Sequence, residues 1–161
     1  MGVLHQQFDA ICRDAACVAR HTLGERLLAF AVFGSVGRGT PRFDSDIDAL
    51  VVLAGSARLT HADRTRVADQ LMQDCAAAVT QFAAAGVAAE LSPVVRSAAE
   101  LAEGFPLLLD MVDDARILHD PEALLHARLE LVRHRLQAAG ARRRWSANGW
   151  HWDLGGGTFQ P

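Results

Sequence analysis

Two apolar runs, LLAFAVF (Leu27–Phe33) and IDALVVL (Ile47–Leu53), flank the polar segment GSVGRGTPRFDSD, and this arrangement constrains the fold more than any other part of the chain. The first run has no polar position and stops at Gly34, which fits a central strand buried on both faces. The second starts inside an acidic cluster and closes at Gly55 and Ser56, so it also reads as a strand. Strand alternation puts Asp46 and Asp48 on one face and Ile47 and Ala49 on the other. Two carboxylates close together in a half-buried place raise each other's pKa unless a cation sits between them, and hard oxygen ligands of this kind suit Mg2+ or Mn2+.

The rest of the pattern surrounds these strands with helices. Leu4, Phe8, Ile11, Cys12, Ala15 and Val18 recur at helical spacing and predict a first helix over 4–23, ending near Gly24. Thr60 is the expected N-cap of a long helix whose Val67, Leu71, Cys75, Val79 and Phe82 form the apolar stripe and which stops at Gly86. VAAELSPVV (87–95) predicts a third strand, and Pro93 places it near a sheet edge. Two short helices follow, around 98–103 and 106–114, and then a brief strand at Arg116–Leu118. Asp120 and Pro121 offer an N-cap and a first-position proline to a last helix that turns Leu125, Leu129, Val132 and Leu136 to the core and stops at Gly140. The order α-β-β-α-β-α-α-β-α predicts an α+β fold, a small mixed β-sheet with helices packed on it. Residues 1–140 form the expected domain, and 141–161 an Arg-, Trp- and Gly-rich tail of different composition.

Composition removes several kinds of chemistry. With 161 residues, 50% hydrophobic and 22% charged, the chain supports one domain with a proper core. A net charge of -3 does not favour nucleic acid as a partner, and no run is long and apolar enough to predict a membrane span. The N-terminal MGVLHQQFDAICRDAA lacks the basic start and apolar centre of a signal peptide, so a cytoplasmic location is expected. All 16 basic residues are arginine, which excludes Schiff-base lysine chemistry and the P-loop lysine, and the absence of tyrosine excludes a tyrosine nucleophile. Cys12, Cys17 and Cys75 have no CxxC spacing and are expected as buried thiols. The seven histidines are scattered without zinc-ligand spacing.

Gly34 and Ser35, directly after a buried strand and followed by Gly37, Arg38 and Gly39, offer backbone N–H groups, a hydroxyl and a guanidinium to an anion such as a polyphosphate. Taken together, FGSVGRGTPRFDSDIDALVV resembles the signature of the minimal nucleotidyltransferases of the DNA polymerase β superfamily. The resemblance implies that Gly34 and Ser35 hold ATP, with Arg38 and Ser45 in their usual places, and that Asp46 and Asp48 bind two magnesium ions. It also implies a third carboxylate on a later strand. Glu90 is the only acid in the third strand and is the expected candidate, with glutamate where aspartate is common; Asp44 is its rival, on the same parity but ahead of the strand.

The activity implied is transfer of AMP from ATP to an acceptor hydroxyl. Small members of this family resemble the antitoxin of a two-gene module and adenylylate a tyrosine on a partner HEPN toxin. Transfer to a small molecule, as in aminoglycoside nucleotidyltransferases, and neutralisation of a partner by docking alone are the alternatives. The segment GARRRWSANGWHWDL resembles a C-terminal motif of some of these enzymes. There Trp150 and Trp152 either stack on a base or partner or pin the tail to the domain, and Arg142, Arg143 and Arg144 read as a solvated helix end.

Overall fold

The long apolar runs do become neighbouring strands. A computed structural model describes residues 2–80, 87, 89–146 and 149–153. Helix α1 (Val3–Leu23) leads through a short 3-10 turn into β1 (Leu27–Val32), the one-turn helix α2 (Gly34–Gly37) and β2 (Ile47–Leu53). Helix α3 (His61–Thr80), β3 (Leu91–Ser97), α4 (Ala98–Glu103), α5 (Leu107–Asp114), β4 (Arg116–His119) and α6 (Leu124–Ala138) follow. The chain then forms β5 (Arg142–Ser146) and β6 (Gly149–Asp153).

The main sheet has the order β3-β2-β1-β4, so the two apolar runs are its interior strands and Pro93 lies on an edge strand. β1 runs antiparallel to both its neighbours, while β2 and β3 are parallel, with Ile47 opposite Leu91 and Asp48 opposite Ser92. A parallel pair needs a crossover, which α3 supplies. The expected mixed sheet with packed helices is therefore the fold.

The sheet has two cores. On one face Phe30, Val32, Ile47, Ala49 and Val51 pack against Phe8, Ile11, Cys12 and Ala15 of α1 and Leu71, Cys75 and Val79 of α3. On the other, Ala29, Ala31, Leu50 and Val52 meet Leu108 and Met111 of α5 and Leu125, Leu129, Val132 and Leu136 of α6. The helical stripes read from the sequence are thus the buried ones; Phe82 and Gly86 lie outside the described residues. Thr60 caps α3, its Oγ1 accepting from the Asp63 N–H at 3.1 Å.

Four expectations need correction. The third strand begins at Leu91 and not at Val87, because its ladder with β2 starts opposite Ile47; Val87 and Ala89 are buried without joining it. The last helix begins at Leu124 and not at Pro121, since Ala123 takes a left-handed conformation (φ 54) that turns the chain first. Asp120 still caps it from a distance, its Oδ2 accepting from the His126 N–H at 2.9 Å. Cys17 is exposed, whereas Cys12 and Cys75 are buried and their thiols are pushed up to about 11 by burial. Part of the tail is an antiparallel hairpin in which Arg143 pairs with Trp152 and Trp145 with Trp150.

Candidate active site

The site lies where β1 ends and β2 and β3 begin. The Phe33 N–H donates to the Asp48 carbonyl at 3.0 Å, tying the end of β1 to the acidic strand before α2 turns away. Gly34 then adopts φ +66, a conformation that L side chains rarely take, and a Cβ on it would lie 2.5 Å from Asp48 Oδ2. Glycine is required twice over at this point, for the turn and for the close approach to the carboxylate. Gly37 is similarly confined, since a Cβ there would collide with the Asp114 carbonyl oxygen. The loop is closed by Thr40, whose N–H donates to the Ser35 carbonyl at 2.9 Å. The Ser35 hydroxyl donates to Ser45 Oγ at 3.3 Å, and Ser45 Oγ accepts from the Arg42 N–H at 2.8 Å.

Asp48 is half-buried and Asp46 exposed. Burial first, and then the Asp46 charge, push the Asp48 carboxyl above the ordinary aspartate value, while Arg38 acts in the opposite direction. Among the described residues no hydrogen-bond donor reaches the Asp48 carboxylate. Glu90 is exposed and stands one residue ahead of β3, where its carbonyl accepts from the Ile47 N–H at 2.8 Å. It lies outside the paired register, which begins at Ile47 and Leu91, and it lines a cavity with Met72, Ala76, Val79 and Thr80 of α3. Among the described residues, however, no three acidic, histidine or cysteine side chains converge closely enough to hold a metal ion. The donor chemistry of Asp46 and Asp48 nonetheless fits a divalent cation: two hard oxygen groups, one of them half-buried and short of positive charge. Asp44 is exposed in the loop before the strand.

A further acid organises the loop that follows Gly34. Asp114, at the end of α5, is only 3% exposed and receives Arg38 Nη1 on Oδ2 at 2.6 Å. The same carboxylate takes Arg143 of β5 in a two-pronged bond, Nη1 to Oδ1 at 3.0 Å and Nη2 to Oδ2 at 2.9 Å. A planar guanidinium suits such a bidentate contact, and one buried acid therefore braces the loop and the hairpin together. The hairpin is further fixed by the Trp152 Nε1–H, which donates to the Leu109 carbonyl at 3.0 Å. Trp152 thus pins the hairpin to α5; the side chain of Trp150 lies outside what is described. Nothing local in the sequence distinguishes Asp114 from Asp113 beside it, whereas the Trp150-His151-Trp152 alternation is a signal that could have marked a strand of the hairpin.

Residues 20–94 match the family model of the nucleotidyltransferase domain. The match spans a little under half of the chain. The matched stretch contains Gly34, Ser35, Arg38, Ser45, Asp46, Asp48 and Glu90, so the whole expected set falls inside it. Among solved structures, similar chains include one from a toxin-antitoxin crystal structure with AMP-PNP, at 16% identity and a TM-score of 0.48, covering 80% of this chain and 92% of that one. Another belongs to a tri-AMPylated Shewanella oneidensis HEPN toxin in complex with an MNT antitoxin, at 15% identity and a TM-score of 0.44, covering 80% of this chain and 89% of that one. No curated protein gives a significant match. Among the described residues, no helix is long and apolar enough to cross a membrane.

Proposed function

We propose that this nucleotidyltransferase moves AMP from ATP to an acceptor hydroxyl, with magnesium held by Asp46 and Asp48. The observation that carries the reading is the state of Asp48: half-buried, raised by burial and by Asp46, given no donor among the described residues, and touched by the backbone turn at Gly34. A carboxylate in that state is completed by a cation and a phosphate-bearing ligand. Bound magnesium supplies a more acidic attacking hydroxyl and neutralises charge on the departing pyrophosphate.

The chain's own groups bind and orient. The start of α2 presents N–H groups that have no acceptor within the helix, and the Ser35 hydroxyl stands beside them, so both suit phosphate oxygens. Asp114 holds Arg38 by one nitrogen, and a guanidinium has five N–H donors, which leaves others for the same phosphates. Ser45 keeps the two arms of the loop together through Ser35 and the Arg42 N–H. Glu90, one residue ahead of β3, is the third acid of the proposal and assists deprotonation of the acceptor.

The acceptor proposed is a tyrosine on a partner HEPN toxin, within a cytoplasmic toxin-antitoxin pair. What supports this finer reading is the likeness of FGSVGRGTPRFDSDIDALVV to the minimal nucleotidyltransferases; with no tyrosine of its own, the chain cannot be the acceptor by that chemistry. The test incubates the purified chain with magnesium, α-labelled ATP and two acceptors, a tyrosine-bearing HEPN protein and an aminoglycoside. Label is expected on the protein, and Asp48→Asn is expected to remain folded while losing about 10³-fold or more of the rate. Undiminished transfer by Asp48→Asn overturns the site. Label on the aminoglycoside alone overturns the acceptor, and neutralisation of the toxin by the Asp46→Asn, Asp48→Asn double variant would make docking the function.

A further inference from the structure

At the end of the sheet remote from Asp48, where β3 passes into α4, two adjoining cavities of about 170 and 540 Å³ share Arg58, Glu103, Gly104 and Phe105. Arg64 and Arg96 line the smaller, together with Glu100, and Arg128 and Arg135 of α6 line the larger. Five arginines therefore face two glutamates, in a chain whose net charge is -3. Both glutamates are already engaged, Glu100 by Arg64 and Glu103 by Arg58. Glu100 also accepts from the Ser97 N–H at 3.0 Å and the Leu59 N–H at 3.4 Å, so both its oxygens are in use.

That leaves Arg96 without a carboxylate at hydrogen-bond distance among the described residues. It donates to the Val95 carbonyl at 2.9 Å, and its guanidinium carbon lies 5.2 Å from the centre of the Phe105 ring. Arg64 Nε is buried with no acceptor among the described residues. Burial, followed by the neighbouring Arg64, lowers the Arg96 pKa, and burial followed by Arg135 lowers that of Arg128. Like charges are thus gathered in two places around one cleft. The larger chamber falls within the usual size of a small-molecule site, about 300–1,000 Å³.

We propose that this arginine-lined cleft is a binding site for a multiply charged phosphate anion, either inorganic pyrophosphate or the polyphosphate of a nucleotide. Forked guanidinium donors on several sides match phosphate oxygens better than a single carboxylate. The site is separate from the Gly34 loop, because Arg96 stands opposite Val52, four residues along β2 from Asp48, about 13 Å at the usual rise per residue. An anion held here bridges Arg96 to the other guanidinium groups of the cleft and stabilises the junction of β3, α4 and α6. This inference does not depend on the transferase reading.

The test titrates the ¹⁵N-labelled full chain, in EDTA, with inorganic pyrophosphate, metal-free ATP, sulfate and a short RNA. Saturable shifts are expected at the amides of Arg96, Gly104 and Phe105 with pyrophosphate, and with ATP if the nucleotide is a source. Arg96→Gln and Arg128→Gln should each weaken this binding about tenfold, and the Ser35→Ala, Arg38→Gln double variant should leave it unchanged. Absence of saturable shifts at those amides, pyrophosphate shifts confined to Gly34–Arg38, an equal response to sulfate, or a response to RNA alone would each overturn the proposal. The wild-type shift map decides these outcomes without any variant having to fold.

Discussion

The two ends of the sheet treat a buried carboxylate in opposite ways. At the loop end Asp48 is half-buried beside a second acid and has no donor among the described residues; at the far end Glu100 is more deeply buried and has both carboxylate oxygens engaged. Burial alone pushes both groups upward. At Asp48 the neighbouring Asp46 adds to it, and the carboxyl stays above its ordinary value. At Glu100 the N–H groups of Ser97 and Leu59, with Arg64 and Arg96, outweigh burial and hold the carboxyl below its ordinary value. Completeness of the hydrogen-bond shell, more than burial, thus separates an acid that secures the fold from one that awaits a ligand. Asp114 stands between the two cases, since it is buried and fully paired but its partners belong to the phosphate loop and the hairpin.

The comparison can be broken most directly at Asp114. Asp114→Asn leaves Arg38 and Arg143 facing a neutral group and is expected to lower stability by about 3 kcal/mol in denaturant unfolding, while raising KM for ATP. A variant of unchanged stability would show that the brace is dispensable. Gly34→Ala places a methyl group against Asp48 in a strained conformation, and a loss of about 10²-fold in kcat is expected from the displaced loop. Wild-type kcat in that variant would remove the close approach from the mechanism. Glu100→Gln should reduce stability by about 2 kcal/mol and leave kcat of the folded protein untouched; a fall in kcat would erase the distinction between the two ends.

The smallest effect is in the pH dependence of the melting temperature without metal. Asp48 has its folded pKa raised above 3.8, so its contribution is fully present at low pH and is lost as pH rises through the folded value. Glu100 has its folded pKa lowered below 4.5, so its contribution is present above that value and is lost as pH falls through the folded one. Acidification should therefore bring a gain that vanishes in Asp48→Asn and a loss, at lower pH, that vanishes in Glu100→Gln. Identical profiles for the three proteins would contradict both assignments.

Much of this was legible because the signals were local. Ile47–Leu53 is an apolar run bounded by acids and Gly55, and it is a strand over those residues. The stripe Leu125, Leu129, Val132 and Leu136 is buried as its spacing requires. The start of β3 was misplaced because Val87 and Ala89 are apolar for packing and not for pairing, and burial pattern alone cannot tell those apart. Asp-Pro was read as the beginning of α6 although Asp120 reaches its cap across a turn. Within the site, the position of Gly34 was readable from the end of an apolar run, and the alternation of Asp46 and Asp48 from strand parity. The role of Asp114 was not, because its partners lie 76 and 29 residues away and leave no periodic trace.

That separation also sets an order of events during synthesis. A ribosome delivers Gly34 to Asp48 early, yet the carboxylate that anchors Arg38 arrives with α5, and the hairpin that shares it arrives later still. β1 and β2 can pair in the nascent chain well before that point. The loop is therefore braced late, since Arg38 gains its buried anchor only once α5 has cleared the exit tunnel.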